Sequence, residues 1–295
     1  MRKKRIVAFA ALAGLVGFAV AEVHWTRRWY ATCHPRRATI APKDREDLAA
    51  ATGAVEDVAF TASDGVVLHG WFVPPKNGCV VVMGHGLGET RTRFLFDAKM
   101  LARHGCGSLL FDWRAHGESG GDTATWGDRE QLDFSAAVGF AVNRPDVDPT
   151  RVVGCGFSIG ASAVAIEAAS DARVRGVILL ALWSSLSDEI DHKTDHFGAL
   201  SRVPSRWGIS RAGVDFDRVR PIDVIGKISP RPLLLVTGDA DTDTPLAIEE
   251  RVFAAAGEPK EMWVVHGAEH GDYQTTDPVA FEQHVVQFLE RNHFL

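Results

Sequence analysis

A serine lies at the centre of a short glycine-rich segment, Gly156-Phe157-Ser158-Ile159-Gly160. The mostly apolar run Arg151–Phe157 indicates a buried strand, and the following run Ala161–Ser170 is rich in small residues, which indicates a helix. A serine on a sharp turn between a strand and a helix exposes its hydroxyl for nucleophilic attack. The alternative is a tight packing turn in which Ser158 only caps the helix.

An acidic loop follows a predicted strand further along the chain and contains Asp239, Asp241 and Asp243. A carboxylate in such a loop can orient an imidazole and stabilise its protonated form. We predict that Asp241 has this role, with Asp239 and Asp243 as competitors. Together with Glu250, the three aspartates also match a calcium-loop pattern, but Thr244 stands where that loop needs glycine.

Two histidines follow the last predicted strand, Met262–Val265. Neutral imidazole can accept a proton from serine and return it to a leaving group, and a loop at the strand end suits that role. We predict His270 as the base, because His266 lies closer to the strand end. Metal binding by both histidines with Asp272 is an alternative that no further ligand pattern supports.

The strand candidate Val80–Met83 runs into the turn Gly84-His85-Gly86-Leu87-Gly88. A glycine-flanked turn can present an unpaired backbone N–H to the negative charge that develops on a carbonyl oxygen during acyl transfer. We predict that the N–H groups of Leu87 and Ile159 form this oxyanion hole. His85 is expected to be a structural part of the turn rather than a general base.

The chain resembles the α/β-hydrolase superfamily from about Val55 to the C-terminus. The resemblance lies in the segments described above, in the segment Phe111–Ser119, and in the chain order of serine, aspartate and histidine. Within this superfamily the chain is similar to a bacterial serine-hydrolase branch akin to serine aminopeptidases, lysophospholipases and acyl-protein thioesterase-like proteins, several of which carry an N-terminal membrane anchor. The resemblance implies a serine hydrolase that cleaves esters or thioesters through Ser158, Asp241 and His270, without a cofactor or metal. A peptidase or amidase, an acyltransferase and a non-catalytic membrane-tethered scaffold are the alternatives.

The segment Asp112–Ser119 departs from that branch at one position, because Ala115 stands where glycine is usual. We expect Asp112 and Arg114 to brace this loop through a buried ion pair rather than to perform chemistry.

The remaining pattern predicts an α/β-hydrolase fold in one large domain, residues 54–295, which the length of 295 residues and the hydrophobic content of 46% support. Ser63-Asp64-Gly65 indicates a hairpin between the first two strands, and later strands alternate with helices as in a parallel sheet. The prediction is a mostly parallel eight-stranded sheet with helices on both faces. The strands are expected near residues 54–61, 66–73, 79–84, 106–112, 151–157, 174–181, 232–237 and 261–266, and the helices near 90–104, 127–143, 159–170, 245–256 and 278–292.

The stretch 183–227, after the sixth strand, shows little clear periodicity and contains four aromatic residues: Trp183, Phe197, Trp207 and Phe216. An insertion at this edge is placed to roof a pocket and select substrates. It is our candidate lid, and an excursion that never touches substrate is the alternative.

The N-terminus combines Arg2-Lys3-Lys4-Arg5 with the uncharged run Ile6–Ala21. We predict that residues 1–30 form a membrane anchor and residues 31–53 a tether, with the domain outside the cytoplasm. The alternative is a signal peptide cleaved after Ala19-Val20-Ala21, which gives a secreted or periplasmic protein.

Four scattered cysteines do not indicate a disulfide framework, so Cys79, Cys106 and Cys155 are expected to be free, small buried hydrophobes in neighbouring strands. A net charge of −6 without a basic patch outside the N-terminal segment argues against nucleic acid as a partner. The expected partners are therefore a small-molecule or lipid-like ester and the membrane, and the oligomeric state stays open.

Overall fold

The computed structural model describes residues 2–195 and 198–295, with side chains from residue 17 onward. Its centre is one eight-stranded sheet in the order β1-β2-β4-β3-β5-β6-β7-β8. Strand β2 is antiparallel to β1 and β4, and all other neighbouring pairs are parallel. The strands are β1 (Glu56–Thr61), β2 (Val67–Val73), β3 (Val80–Gly84), β4 (Gly107–Phe111), β5 (Val152–Phe157), β6 (Gly176–Leu180), β7 (Leu233–Gly238) and β8 (Lys260–Val265).

All eight predicted strands and the predicted hairpin are confirmed. The helices are α1 (Arg2–Thr32), α2 (Pro42–Thr52), α3 (Leu95–Arg103), α4 (Glu130–Val142), α5 (Ile159–Ala168), α6 (Leu186–Thr194), α7 (Ala199–Arg211), α8 (Pro221–Val224), α9 (Leu246–Ala255), α10 (Tyr273–Thr276) and α11 (Pro278–Arg291). Short 3₁₀ turns cover Arg91–Phe94, Phe216–Arg218 and Ile225–Ile228. Each of the five predicted helices corresponds to an observed helix that lies within the predicted bounds.

The central strands are buried on both faces, as their continuous apolar runs require. In β3 the side chains of Val81 and Met83 belong to the core beneath α3 and α11, whereas Val80 and Val82 belong to the core beneath α4 and α5. This alternation follows from the two-residue period of a strand. Helices therefore cover both faces and leave the carboxyl ends of the strands open to carry functional loops.

The segment 31–53, the predicted tether, packs on the domain in the structure. Its first residues bind the loop before α4, since the Cys33 carbonyl accepts the Ala124 N–H at 2.7 Å and Thr32 Oγ1 accepts the Trp126 indole N–H at 3.3 Å. Arg37 donates to the carbonyls of the 116–121 loop, and Leu48 of α2 is completely buried. The sequence alone did not reveal these contacts because each is made to a distant part of the chain.

Helix α1 runs from residue 2 to residue 32 and includes the predicted apolar run Ile6–Ala21, whose side chains are described only from residue 17 onward. Among the residues that the structure describes, no helix combines the length and the apolar character needed to cross a bilayer.

The candidate lid, residues 183–227, lies between β6 and β7 and folds largely into α6, α7 and α8. Residues 196 and 197, between α6 and α7, lie outside the described part. Helix α7 packs closely on α1, because Gly208 brings the two backbones together: a Cβ there would lie 2.4 Å from the Thr26 carbonyl oxygen. The N-terminal helix and the candidate lid are therefore in direct contact.

The expectation of free cysteines is wrong for two of them, because Cys79 and Cys106 form a buried disulfide. Val80 lies opposite Gly107 in the parallel pair β3–β4, so the preceding residues also face each other, with Cα atoms 4.7 Å apart. Cys33 and Cys155 are free and buried. The missing information was the register between the two strands, which cysteine spacing does not supply.

Candidate active site

Ser158 lies at the turn between β5 and α5 with φ +55° and ψ −115°, a backbone conformation that residues other than glycine rarely adopt. Both glycines of the motif are required by space: a Cβ at Gly156 would lie 2.4 Å from the Gly160 carbonyl oxygen, and one at Gly160 would lie 2.1 Å from that of Gly84. The predicted sharp turn is therefore present, and it holds the serine hydroxyl at the carboxyl edge of the sheet.

Three side chains that are far apart in the sequence meet at this edge. His270, on the loop after β8, has Nε2 3.3 Å from Ser158 Oγ and Nδ1 2.8 Å from Asp241 Oδ2. Asp241, on the loop after β7, accepts the backbone N–H groups of Asp243 and Thr244 on its other oxygen, each at 2.8 Å. The structure brings together the serine, histidine and aspartate that the sequence indicated, and their hydrogen bonds form a continuous chain.

Tyr273 is a site residue that sequence reasoning missed. Its hydroxyl is completely buried and donates to Asp241 Oδ2 at 3.0 Å. Burial alone would raise the pKa of Asp241, but hydrogen bonds from His270, the Thr244 N–H and Tyr273 outweigh it and hold this pKa below its usual value. Asp241 therefore stays ionised beside the imidazole. Tyr273 lies three residues after His270, a position that fits no motif, so the sequence offered no signal for this tyrosine.

The competing acids and base lie elsewhere. Asp239 binds His266, with Oδ2 2.9 Å from Nδ1, and this pair is exposed rather than directed at Ser158. Asp243 pairs with Lys193 of α6 at 3.1 Å. In the described part of the chain, no group of three or more histidine, cysteine, aspartate or glutamate side chains is arranged to hold a metal ion.

The predicted oxyanion donors belong to two elements at the carboxyl edge of the sheet: Leu87 lies in the loop after β3, and Ile159 is the first residue of α5, directly after Ser158. Within the described residues, neither the Leu87 N–H nor the Ile159 N–H donates to a protein acceptor. Their hydrogens are thus available to an oxygen of a bound molecule. The Leu87 loop is held on both sides, because the Gly86 N–H donates to Glu89 Oε2 at 2.8 Å and the Gly88 N–H donates to His116 Nε2 at 3.0 Å.

Two buried histidines shape this loop as neutral groups. His85 Nδ1 lies 2.7 Å from the Gly86 carbonyl oxygen, and its Nε2 accepts the Trp113 N–H at 3.2 Å. This network assigns the proton to Nδ1. Complete burial, together with the neighbouring His116, lowers the pKa of His85 to about 3. His85 is therefore placed as a structural residue, in agreement with the expectation.

Ion pairs brace the Asp112–Ser119 loop, as expected, but Asp112 and Arg114 do not pair with each other. Asp112 binds Arg91 at 2.6 Å, and Arg114 binds both Asp133 and Asp64 at 2.7 Å. Ala115 adopts φ +61°. The loop thus keeps a left-handed backbone at the position where the resembling branch has glycine.

An apolar cluster includes Ile159, the residue that follows the serine. It unites residues of the candidate lid with Trp29 of α1, and Leu87 packs against it. The lid members are Trp183, Leu186, Ile190, Ile209, Val214 and Val219. Beside it an open cavity of about 700 Å³ is lined by Trp25 and Trp29 of α1, Lys193 of α6 and Thr242 of the acid loop. The N-terminal helix therefore contributes to the surroundings of the site, which the sequence did not indicate.

Comparison with known proteins agrees with this geometry. Residues 75–208 match the family model described as serine aminopeptidase, S33, and residues 205–294 match the model described as TAP-like protein. The esterase Pf2001 of Pyrococcus furiosus superposes with a TM-score of 0.74 at 25% identity, over 88% of this chain and 97% of that one. The chain belongs to the α/β-hydrolase superfamily.

Among curated members similar to this α/β hydrolase is the uncharacterized protein YfhR of Salmonella typhi, 28% identical over 74% of this chain and 75% of that protein. Another is the polyketide transferase ATR5 of Stachybotrys chlorohalonatus, 25% identical over 80% of this chain and 97% of that protein.

Proposed function

We propose that this α/β hydrolase is a serine hydrolase that cleaves carboxylic ester or thioester bonds through an acyl-enzyme intermediate. The observation that carries the proposal is the continuous hydrogen-bond chain from Ser158 Oγ through His270 to Asp241. The strained backbone of Ser158 and the two free N–H groups beside it support the same chemistry. The likeness to an esterase of known structure adds to this support.

In the proposed reaction, His270 Nε2 takes the Ser158 hydroxyl proton as Oγ attacks the ester carbonyl carbon. The N–H groups of Leu87 and Ile159 bind the resulting oxyanion, and Asp241 stabilises the imidazolium. His270 then gives its proton to the leaving alcohol or thiol as the carbon–oxygen or carbon–sulfur bond breaks. Water repeats the sequence on the acyl-enzyme and releases the acid.

The test is labelling by a fluorophosphonate probe together with hydrolysis of chromogenic esters from acetyl to palmitoyl. Wild type should be labelled and active, and Ser158→Ala should lose labelling and at least about a thousandfold in kcat. Ser162→Ala is the matched control, because this buried serine one turn along α5 should keep both properties. Well-folded wild type that neither reacts with the probe nor cleaves any ester would overturn the proposal in favour of a scaffold.

An acyltransferase is the second candidate, favoured by the likeness to a polyketide transferase. It shares the acyl-enzyme and differs in the acceptor. Product analysis with competing alcohols separates the two, since a transferase forms new ester where a hydrolase releases acid. Aminoacyl amides belong in the same panel, because one family model is described as a serine aminopeptidase.

We also propose that the N-terminal segment anchors the protein to a membrane with its catalytic domain outside the cytoplasm. The basic residues before Ile6–Ala21 support this orientation, and the Cys79–Cys106 disulfide supports an oxidising compartment. A C-terminal alkaline phosphatase fusion should be active, and sequencing of the mature N-terminus distinguishes a retained segment from a cleaved leader. An inactive fusion at normal expression would contradict the orientation.

A further inference from the structure

Exposed apolar side chains are concentrated on two helices. Ten described positions expose a large apolar side chain, and seven of them lie on α1 and α7. Single exposed apolar residues are ordinary, but a cluster of this kind marks a surface that binds something. The two helices pack on each other, and three of these residues, Val23, Tyr30 and Trp207, line one groove between them.

Helix α7 presents a regular stripe to solvent. Leu200, Val203 and Trp207 are each more than half exposed, and they follow one another at intervals of three and four residues. The opposite side of α7, which includes Ser201 and Gly208, is buried. This is the pattern of an amphipathic helix whose apolar stripe faces outward while its small residues face the protein.

Helix α1 continues this stripe across a shared groove. Glu22, Val23, Thr26, Arg27 and Tyr30 of α1 line the groove together with Trp207 and Arg211 of α7. We call this surface the α1–α7 face and define it by Val23, Arg27, Tyr30, Val203, Trp207 and Arg211.

The charge of this face differs from that of the whole chain. The chain carries a net charge of −6, but the groove of this face contains two arginines, Arg27 and Arg211, and one carboxylate, Glu22; among the described residues neither arginine forms an ion pair with a carboxylate. The Arg211 guanidinium lies 4.8 Å from the centre of the Trp207 ring. Arginine and aromatic side chains beside exposed aliphatic ones are the composition of surfaces that bind anionic lipid headgroups and enter the interface.

The same charges argue against a second copy of the chain as the occupant. A two-fold interface places the same patch on both partners, so four arginines would meet across it, with the two Glu22 carboxylates of the groove as their counter-charges. A lipid surface supplies the opposite charge instead.

We propose that the α1–α7 face docks on a bilayer that contains anionic lipids, so that α7 enters the interface in addition to the N-terminal anchor. The proposal extends the anchoring proposed above and does not depend on the proposed chemistry. Helix α7 also contributes Ile209 to the apolar cluster around Ile159. Docking would therefore bring the candidate lid to the lipid surface.

The test places an environment-sensitive fluorophore on each side of the molecule. Full-length Val203→Cys and, as the matched control, Val279→Cys are labelled with a nitrobenzoxadiazole dye; both native valines are about 60% exposed, with Val279 on α11. The native cysteines are buried or disulfide-bonded and should not react in the folded protein. Vesicles contain either phosphatidylcholine alone or phosphatidylcholine with phosphatidylglycerol.

With anionic vesicles, the emission at position 203 should shift to the blue and rise at least about twofold, and that at position 279 should not change. The pair Arg27→Gln and Arg211→Gln should raise the lipid concentration needed for half the shift about tenfold or more, since each charge near the surface contributes to binding. The exposed pair Arg129→Gln and Arg175→Gln, elsewhere on the surface, is the charge-matched control.

Three results would overturn the proposal. Vesicles that carry the protein without any change at position 203 would show attachment by the anchor alone. Equal changes at positions 203 and 279 would show nonspecific adsorption, and a change at 203 that grows with protein concentration in the absence of lipid would show self-association. Ser158→Ala should give the same shift as wild type, which separates this result from any failure of the proposed activity.

Discussion

The side chains at the proposed site are fixed by hydrogen bonds from residues that carry no motif of their own. Asp241 illustrates this, since two backbone N–H groups hold one of its oxygens and His270 and Tyr273 share the other. Each bond also favours the ionised carboxylate. Orientation and charge at the site thus have the same structural origin.

Tyr273→Phe removes one of these donors and leaves the ring in place. The carboxylate loses a charge-assisted hydrogen bond, so we expect kcat on a soluble ester to fall about tenfold with little change in KM. Tyr30→Phe is the matched control, because the only other tyrosine is partly exposed on α1. Unchanged kcat in Tyr273→Phe would show that the two backbone N–H groups orient Asp241 without help.

Asp97 of α3 predicts a pH dependence of stability. Burial raises its pKa to about 6, despite hydrogen bonds from Gln274. Since an unfolded aspartate titrates near about 3.9, the folded protein holds a proton between about pH 4 and 6 that the unfolded chain has released. Stability therefore falls as pH rises through this window, by up to about 3 kcal/mol.

Asp97→Asn removes this titration and can still accept from Gln274. The variant should match wild type near pH 4 and exceed its free energy of unfolding at pH 8, as measured by urea denaturation. Asp122→Asn, on an exposed loop, is the control. Parallel pH profiles for wild type and Asp97→Asn would contradict the assignment.

At the scale of elements, the turn between β5 and α5 depends on the close approach of β3. The Gly84 carbonyl lies where a side chain at Gly160 would have to be. The glycines of the motif therefore serve packing between strand and helix as well as the conformation of Ser158.

Gly160→Ala should destabilise the protein by at least about 2 kcal/mol, because the new methyl group overlaps the Gly84 backbone. Gly139→Ala in α4 is the matched control. There the nearest group is the flexible end of Arg173, so helix propensity should leave stability equal or raise it by up to about 1 kcal/mol. Thermal melts compare them, and equal melting temperatures would contradict the packing role of Gly160.

Most elements and the site loops were predictable from the sequence, because local signals define them. Apolar runs predicted the eight strands, and glycine patterns predicted the turns at Ser158 and Leu87. The packing of Trp29 on the candidate lid and the hydrogen bond from Tyr273 were not predictable. Both are contacts between distant segments, and no local pattern records which surfaces meet.

At the scale of the whole molecule, the Cys79–Cys106 disulfide joins two residues that are 27 positions apart in the chain. In the chain-entropy model a crosslink of this span stabilises the folded state by about 3 to 4 kcal/mol. The double variant Cys79→Ala and Cys106→Ala should lose stability of this order in guanidinium denaturation. Addition of a reductant should affect unfolded wild type and not the variant; equal stability of the two proteins would contradict the prediction.

The same disulfide lies at the start of β3 and β4, whereas Ser158 and the Leu87 loop follow the ends of β5 and β3. The crosslink and the reacting groups are therefore at opposite rims of the sheet. Reduction of this crosslink should therefore shorten the lifetime of the folded protein and leave the proposed reaction of the surviving copies almost unchanged. Substitutions at the disulfide and substitutions at the site should therefore change the stability and the reactivity of this protein separately.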